Sequence, residues 1–347
     1  MTKYLLTAAL LAGVPLSAQP LTPAALNLKA KADKASIPEI AYDSVPNFLK
    51  LPSGLYLGEG IGVATNSKGH IFVYTRSQLT RLFEFDQRGV FVREIGEGLY
   101  GFVFAHAVRV DPQDNIWAVD EGSNMVIKFN PEGRVMMVLG HRPDMLDGVP
   151  VTPGFNAPAP PATKYTFSRP TDVVFDAAGD IFVSDGYGNS RVVKYDKYGK
   201  FIKDVGSKGS APGQLNIPHT MAADAKGNVY VGDRTNNRIQ VFDNDLTLKT
   251  IYDQVGSPWA MCISGGPHQY LYSSNSNPDN NNAEIAANTG EIYKMELDGT
   301  ILGKFGKAGK SVGDFSTVHS MDCRNPNEIY TAEITAWRAQ KIIVKSK

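Results

Sequence analysis

One motif recurs along this chain and limits what it can fold into. Four copies align directly. They are EGIGVATNSKGHIFVYTRSQLTRLFEFDQRGVF from Glu59, AHAVRVDPQDNIWAVDEGSNMVIKFNPEGRV from Ala105, PTDVVFDAAGDIFVSDGYGNSRVVKYDKYGKF from Pro170 and PHTMAADAKGNVYVGDRTNNRIQVFDNDLTL from Pro218. Two degenerate copies follow: SPWAMCISGGPHQYLYSSNS from Ser257, resuming at GEIYKMELDGTI, and VHSMDCRNPNEIYTAEITAWRAQKIIVK from Val318. Each copy reads as four short strands separated by a Gly/Asn turn, a polar turn and a D-x-x-G turn. Val, Ile, Phe and Tyr alternate with polar residues in each run, the period-2 signal of half-buried strands. Four such strands cannot bury their faces alone. Radial stacking lets each sheet cover its neighbour, so six copies predict an all-β, six-bladed β-propeller. The last copy has three clear strands. The segment IAYDSVPNFLK, Ile40 to Lys50, precedes the first copy and is expected to supply the missing outer strand and close the ring.

Composition narrows the function classes. The 347 residues carry 35 Lys+Arg against 35 Asp+Glu, a net charge of zero with no basic block. That balance gives no electrostatic case for nucleic acid or for an anionic membrane surface. The opening MTKYLLTAALLAGVPLSA pairs a positive Lys3 with an apolar run too short to span a bilayer, the pattern of a secretory signal. The expected organisation is a signal peptide over 1–18, a flexible lead-in over 19–35 and one propeller domain over 36–347. The mature protein is then a secreted or periplasmic, membrane-free monomer. Two cysteines, Cys262 and Cys323, exclude a disulfide-stapled scaffold and a four-cysteine zinc module. Both fall at similar depth on the inner strands of neighbouring blades. A disulfide needs Cα atoms within about 7 Å, and adjacent blades are expected to stand further apart, so two reduced, buried thiols are expected.

Three of the six histidines share one repeat position. His106 lies five residues before Asp111, His219 five before Asp224 and His319 five before Arg324. They fall in blades two, four and six, about 120° apart in a six-bladed ring. Counting places Gly60, Thr171 and Pro258 at the same position in the other blades. Three imidazoles converging on the channel would suit zinc, which in catalytic sites takes three protein ligands and leaves a fourth position open. Water-binding channel histidines are the other reading. His70 and His268 sit in first turns on the opposite face, as surface residues, and His141 sits in a loop. Arg76, Tyr187 and Arg234 follow second strands and reach the face of the histidine trio. Asp120, Asp185 and Asp233 end second strands and are expected to hold the blades together, with Arg191 and Arg238 as partners. Residues 141–166, with six prolines, and 274–289 are long loops on the same face and are read as lids.

The cores SDGYGNSRVVKYD and GDRTNNRIQVFD resemble the NHL-repeat family. The run RPTDVVFDAAGDIFVSDGYGNSRVVKYDKYGKFI, a PGQ turn and IPHTMAADAKGNVYVGDRTNNRIQVF resemble its peptidyl-α-hydroxyglycine α-amidating lyase members. The resemblance covers roughly residues 59 to 347 and is strongest in blades three and four. It implies cleavage of a carbinolamide, R–CO–NH–CH(OH)–COO⁻, to an amide and glyoxylate, with a peptide or small molecule as substrate. It implies Zn²⁺ on His106, His219 and His319, which match the family's PH-type motifs. Tyr187 matches the SDGY tyrosine, Arg76 the blade-one arginine, and Arg234 the arginine of an A-D-R motif written G-D-R here. In this reading Tyr187 is the general base, with a pKa lowered by the metal and the guanidiniums, and Arg76 holds the substrate carboxylate. A structural Ca²⁺, which the family also carries, is left short of a ligand: Ser320 follows His319 where the family has Asp, and the nearest carboxylate is Asp322. Gly188 replaces a disulfide cysteine. Two other classes compete. A calcium-dependent, gluconolactonase-like hydrolase is suggested by Leu57-Gly58-Glu59-Gly60, and a non-catalytic NHL binding module needs no axial histidines.

Overall fold

A computed structural model describes residues 34–142, 162–278 and 280–345. Within them, twenty-four strands, numbered in chain order, form six four-stranded antiparallel sheets. The innermost strands are β2 (Glu59–Thr65), β6 (Ala105–Val110), β10 (Asp172–Phe175), β14 (Pro218–Ala223), β18 (Pro258–Ile263) and β22 (Val318–Asn325). Each packs against the next around a ring, and β22 returns to β2. The architecture is the six-bladed propeller that the repeat predicts. Strand β1 (Tyr42–Val45) pairs antiparallel with β24 (Arg338–Val344), from Tyr42↔Val344 to Val45↔Lys341. It therefore completes blade six as the outer strand, inside the segment expected to do so.

Burial falls from the middle of each blade outward. Strand β11 (Ile181–Asp185) is buried at every position, because blades two and four cover both its faces, whereas β13 (Phe201–Val205) at the rim is mostly exposed. The tight turns follow from their residues. The Asp224 carboxylate accepts from the amides of Lys226 and Asn228 at 2.9 and 2.8 Å, and Gly227 takes φ 81°, a conformation glycine adopts without a side-chain clash. The core is distributed between blades: Ile61, Tyr74 and Leu82 of blade one pack with Val108, Ala118 and Ile127 of blade two.

The recurring aspartates hold the blades as expected. Asp185 pairs with Arg191 at 3.0 Å and Asp233 with Arg238 at 2.7 Å. Asp120 instead accepts from the backbone amides of Val103, Phe104 and Ser123. Blade six keeps the device with a longer acid, Glu333 to Arg338 at 3.0 Å.

The cysteines correct the sequence reading. Cys262 and Cys323 form a disulfide, with Cα atoms 5.9 Å apart. Inner strands converge on the axis, so β18 and β22 approach more closely there than packed sheets do, at about 10 Å. Residues 143–161, most of the proline-rich loop read as a lid, lie outside the described residues, as do 1–33. The blade-five insertion carries a short helix, α1 (Ala283–Ala287). Among the described residues no helix is long and apolar enough to cross a membrane.

Candidate metal centre

The even-numbered blades break register near the start of their inner strands. Strand β6 pairs Ala105 with Asp120 and then Ala107 with Val119, which leaves His106 unpaired. Strand β14 skips His219 and β22 skips His319 in the same way. A bulged residue is released from the ladder and its side chain is re-aimed. In the odd blades β2 skips Ile61, and β18 skips Trp259 and Ala260. The counterparts of the histidines are therefore Ile61, Thr171 and Trp259, which corrects the count that named Gly60 and Pro258.

Each imidazole is braced by the next blade. His106 Nδ1 lies 2.6 Å from the Thr171 carbonyl, His219 Nδ1 2.8 Å from that of Trp259, and His319 Nδ1 2.9 Å from that of Ile61. A carbonyl only accepts, so each Nδ1 carries the proton and each Nε2 keeps a lone pair. The three rings sit 4.6 to 4.7 Å apart, centroid to centroid, and one nitrogen from each lies within 4.8 Å of the others. Imidazoles bound to one zinc at about 2.0–2.1 Å place their centroids on the order of 5 Å apart, so the trio could hold a metal ion. His219 Nε2 is buried without a hydrogen-bond partner, as a ligand atom would be. Burial, with repulsion from His319 and Arg76 for His106 and from Arg234 for His219, holds both well below the ordinary imidazole range. His319 is pushed down to about 3 by burial and then by Arg76. All three are neutral, the form that binds metals.

The other predicted residues gather around this trio. Tyr187 Oη lies 3.3 Å from His106 Nε2 and 3.5 Å from Arg234 Nη1. Arg234 stacks over Trp259, 4.2 Å above the ring centroid. Arg76 donates to Glu59 at 3.0 Å, to the Ala105 carbonyl at 3.1 Å and to Glu121 at 3.3 Å. The expected lowering of the Tyr187 pKa relied on a bound metal as well as the guanidiniums, and the guanidiniums alone do not produce it. Burial raises it, and Arg234 and Arg76 oppose that rise without reversing it. His70 and His268 lie in the turns that follow β2 and β18, paired with Glu84 and Glu296.

Three residues in this cluster escaped the sequence reading. Glu121, its side chain 2 % exposed, bridges Arg76 and Arg169 at 3.3 and 3.4 Å, and burial raises its carboxyl to about 7 against the pull of both arginines. Arg169 lies over the Tyr187 ring at 4.3 Å. Trp259 flanks His219 at 5.2 Å. Glu121 holds the repeat position of Arg234, one residue past the strand-ending Asp, so the repeat alignment carried a signal for it. Arg169 precedes the blade-three Pro and carried none.

Calcium at the axis does not fit. The Arg109 guanidinium lies across the channel. It pairs with Asp172 at 2.9 and 2.6 Å and donates to the carbonyls of Met221 and Met321 at 3.1 and 3.3 Å. The arginine thus takes the inward-facing oxygens. Asp322 is spent on the amide and hydroxyl of Thr65, at 3.0 and 2.8 Å. Glu59, the hydrolase-like glutamate, is tied to Arg76.

The NHL repeat model matches residues 167–195 and 215–242, in blades three and four. The chain is 30 % identical over 262 residues to mouse peptidyl-glycine alpha-amidating monooxygenase, covering 65 % of this chain and 25 % of that protein. It is 28 % identical to Drosophila melanogaster peptidyl-alpha-hydroxyglycine alpha-amidating lyase 1, over 71 % of this chain and 45 % of that protein. It is 27 % identical to mouse NHL repeat-containing protein 3, over 84 % of this chain and 81 % of that one. The chain spans about a quarter of the length of the monooxygenases that it matches. In fold it is similar to a streptogramin B lyase, with a TM-score of 0.57 at 12 % identity over 88 % of this chain and 98 % of that one. The chain is a six-bladed β-propeller with NHL repeats in blades three and four that resembles the peptidyl-α-hydroxyglycine α-amidating lyases.

Proposed function

We propose that this protein is a metal-dependent carbon–nitrogen lyase that cleaves an α-hydroxyglycine-type carbinolamide to an amide and glyoxylate. The observation that carries the reading is the convergence of three imidazoles, each fixed through Nδ1 and each offering one ring nitrogen within 4.8 Å of the others. His106, His219 and His319 would hold Zn²⁺. Bound there, the metal would supply Lewis acidity at a substrate oxygen. Arg76 and Arg234 bind and orient the anionic end of the substrate. Tyr187 moves the proton: it takes the carbinol hydroxyl hydrogen and returns it to the amide nitrogen. The C–N bond breaks as the hydroxyl carbon becomes a carbonyl, so the reaction balances without a co-reactant. The Tyr187 phenol is raised by burial, and Arg234, 3.5 Å from its oxygen, stabilises the phenolate that the step requires. Residues 1–18 act as an export signal in this reading. Intact mass of the exported protein would lack them, and a full-length cytoplasmic product would refute export.

The test combines metal analysis of purified protein with glyoxylate release from an N-acyl-α-hydroxyglycine. One zinc per chain with glyoxylate formation supports the lyase. Zinc without glyoxylate rejects the substrate. The length-matched likeness to NHL repeat-containing protein 3 favours one alternative, a non-catalytic binding module, for which the protein would carry no metal.

A further inference from the structure

We propose that Trp259 is a positioning residue of this site: its indole face holds the Arg234 guanidinium where the substrate carboxylate docks. The proposal rests on the lyase reading for the identity of the substrate. The pairing of Trp259 with Arg234 does not depend on that reading.

The arginines of the cluster are held by different means. Arg76 is held by Glu59, Glu121 and the Ala105 carbonyl. Arg169 pairs with Glu121. Arg234 forms no ion pair among the described residues. Its guanidinium lies 4.2 Å over the Trp259 ring and 5.5 Å over that of Tyr187, with Nη1 3.5 Å from the Tyr187 hydroxyl. A ring face attracts a cation through its quadrupole, indole most strongly, and uses none of its N–H donors. Stacking therefore fixes the plane of the guanidinium and leaves its edge for a carboxylate, which binds edge-on through two N–H groups.

Local structure places the ring. Strand β18 pairs Pro258 with Asn275 and next Met261 with Ser273, so Trp259 stands outside the ladder. Its amide donates to the Ser257 carbonyl at 3.0 Å, and the Ser257 hydroxyl donates to the Arg234 carbonyl at 3.3 Å. The backbones that carry the ring and the guanidinium are thus tied together. Trp259 shares the repeat level of the histidines, its ring centroid 5.2 Å from that of His219 and 6.2 Å from that of His319.

The other odd-blade residues at this level serve the protein interior. Ile61 belongs to the core between blades one and two, and the Thr171 hydroxyl donates to the Pro218 carbonyl at 2.6 Å. Both are fully buried, whereas Trp259 is partly exposed. The indole Nε1 is buried without a hydrogen-bond partner. Phenylalanine at this position therefore removes no hydrogen bond and keeps an aromatic face, which makes it the conservative variant.

The experiment uses the zinc-loaded full chain and two unreactive probes, acetylglycine and acetylglycinamide, with binding measured by calorimetry. Wild type is expected to bind acetylglycine at least roughly 10-fold more tightly than the amide. Trp259→Leu and Trp259→Met should each weaken acetylglycine about 10-fold, change acetylglycinamide by less than about two-fold and keep the zinc. Trp259→Phe should hold acetylglycine binding within about three-fold of wild type. In an Arg234→Gln background, Trp259→Leu should cost nothing further, because the ring acts through the arginine. Thermal melts identify which of the Leu and Met variants is folded, and either suffices. Acetylglycine binding within about two-fold of wild type in that variant overturns the proposal. An equal loss for both probes also overturns it, as does a Phe variant no better than Leu, or an undiminished loss in the Arg234→Gln background. If acetylglycine binding depends on Trp259 through Arg234 but α-hydroxyglycine peptides are not cleaved, the lyase reading fails and the positioning role stands.

Discussion

His106 donates its Nδ1 proton to the backbone carbonyl of Thr171, 2.6 Å away across a blade boundary. The same bond runs from His219 to Trp259 and from His319 to Ile61. Even blades contribute imidazoles and odd blades contribute the carbonyls that orient them. The alternation therefore has a physical basis: the bulges of the even blades release the imidazoles inward, and the matching residue of each odd blade offers its carbonyl to the blade before it. Partners of this kind fix the tautomer of a metal-binding histidine and its ring direction.

Replacing any one of the three histidines by alanine should lower zinc affinity by at least roughly 100-fold, beyond the 10- to 100-fold typical of losing an orienting partner. The fold, held between blades, should survive. Metal analysis and far-UV circular dichroism on the same samples check both halves. Full zinc occupancy in His219→Ala would refute the trio as the ligand set.

Tyr187→Phe should retain metal and lose turnover by roughly 10²-fold or more, the scale of a missing general base. The phenyl ring still fills the space beneath Arg169. Comparing kcat at saturating substrate with zinc content separates this outcome from loss of the centre. Activity within three-fold of wild type would remove Tyr187 from the proton path.

Thiol titration in denaturant without reductant should find no free cysteine, because Cys262 and Cys323 are joined. Replacing both by serine opens a loop of 61 residues and should destabilise the protein by about 4 kcal/mol on the chain-entropy estimate. Zinc content should not change. Chemical denaturation of the double variant measures the loss, and two titratable thiols in the wild type would refute the bond.

Arg109→Ala should destabilise the fold by about 3–5 kcal/mol, since Asp172 is left buried without its partner. Millimolar calcium should restore part of that stability, because the Met221 and Met321 carbonyls and the Asp172 carboxylate are hard oxygen donors. Added calcium should leave the wild-type melting temperature unchanged. A calcium-dependent rise in the wild type would show that the arginine does not fill this place.

The repeat determined the fold, because strand alternation and turn residues are local properties that each copy states again. It also determined which histidines share a level, since the distance from a histidine to the turn after its strand is counted within a single blade. Tertiary structure decided what those residues meet. Ile61 and Trp259 replaced Gly60 and Pro258 because the first turns of those blades begin at Asn66 and Ser264, five residues on, as those of blades two and four begin at Asp111 and Asp224. Arg169, Glu121 and Arg76 come from three successive blades, and only the packing of neighbouring blades brings 45 and 48 residues of separation down to hydrogen-bond range. Cys262 and Cys323 pair for the same reason. Distances within a strand follow from covalent geometry, while distances across the axis follow from how closely six sheets pack, and no single repeat encodes that spacing.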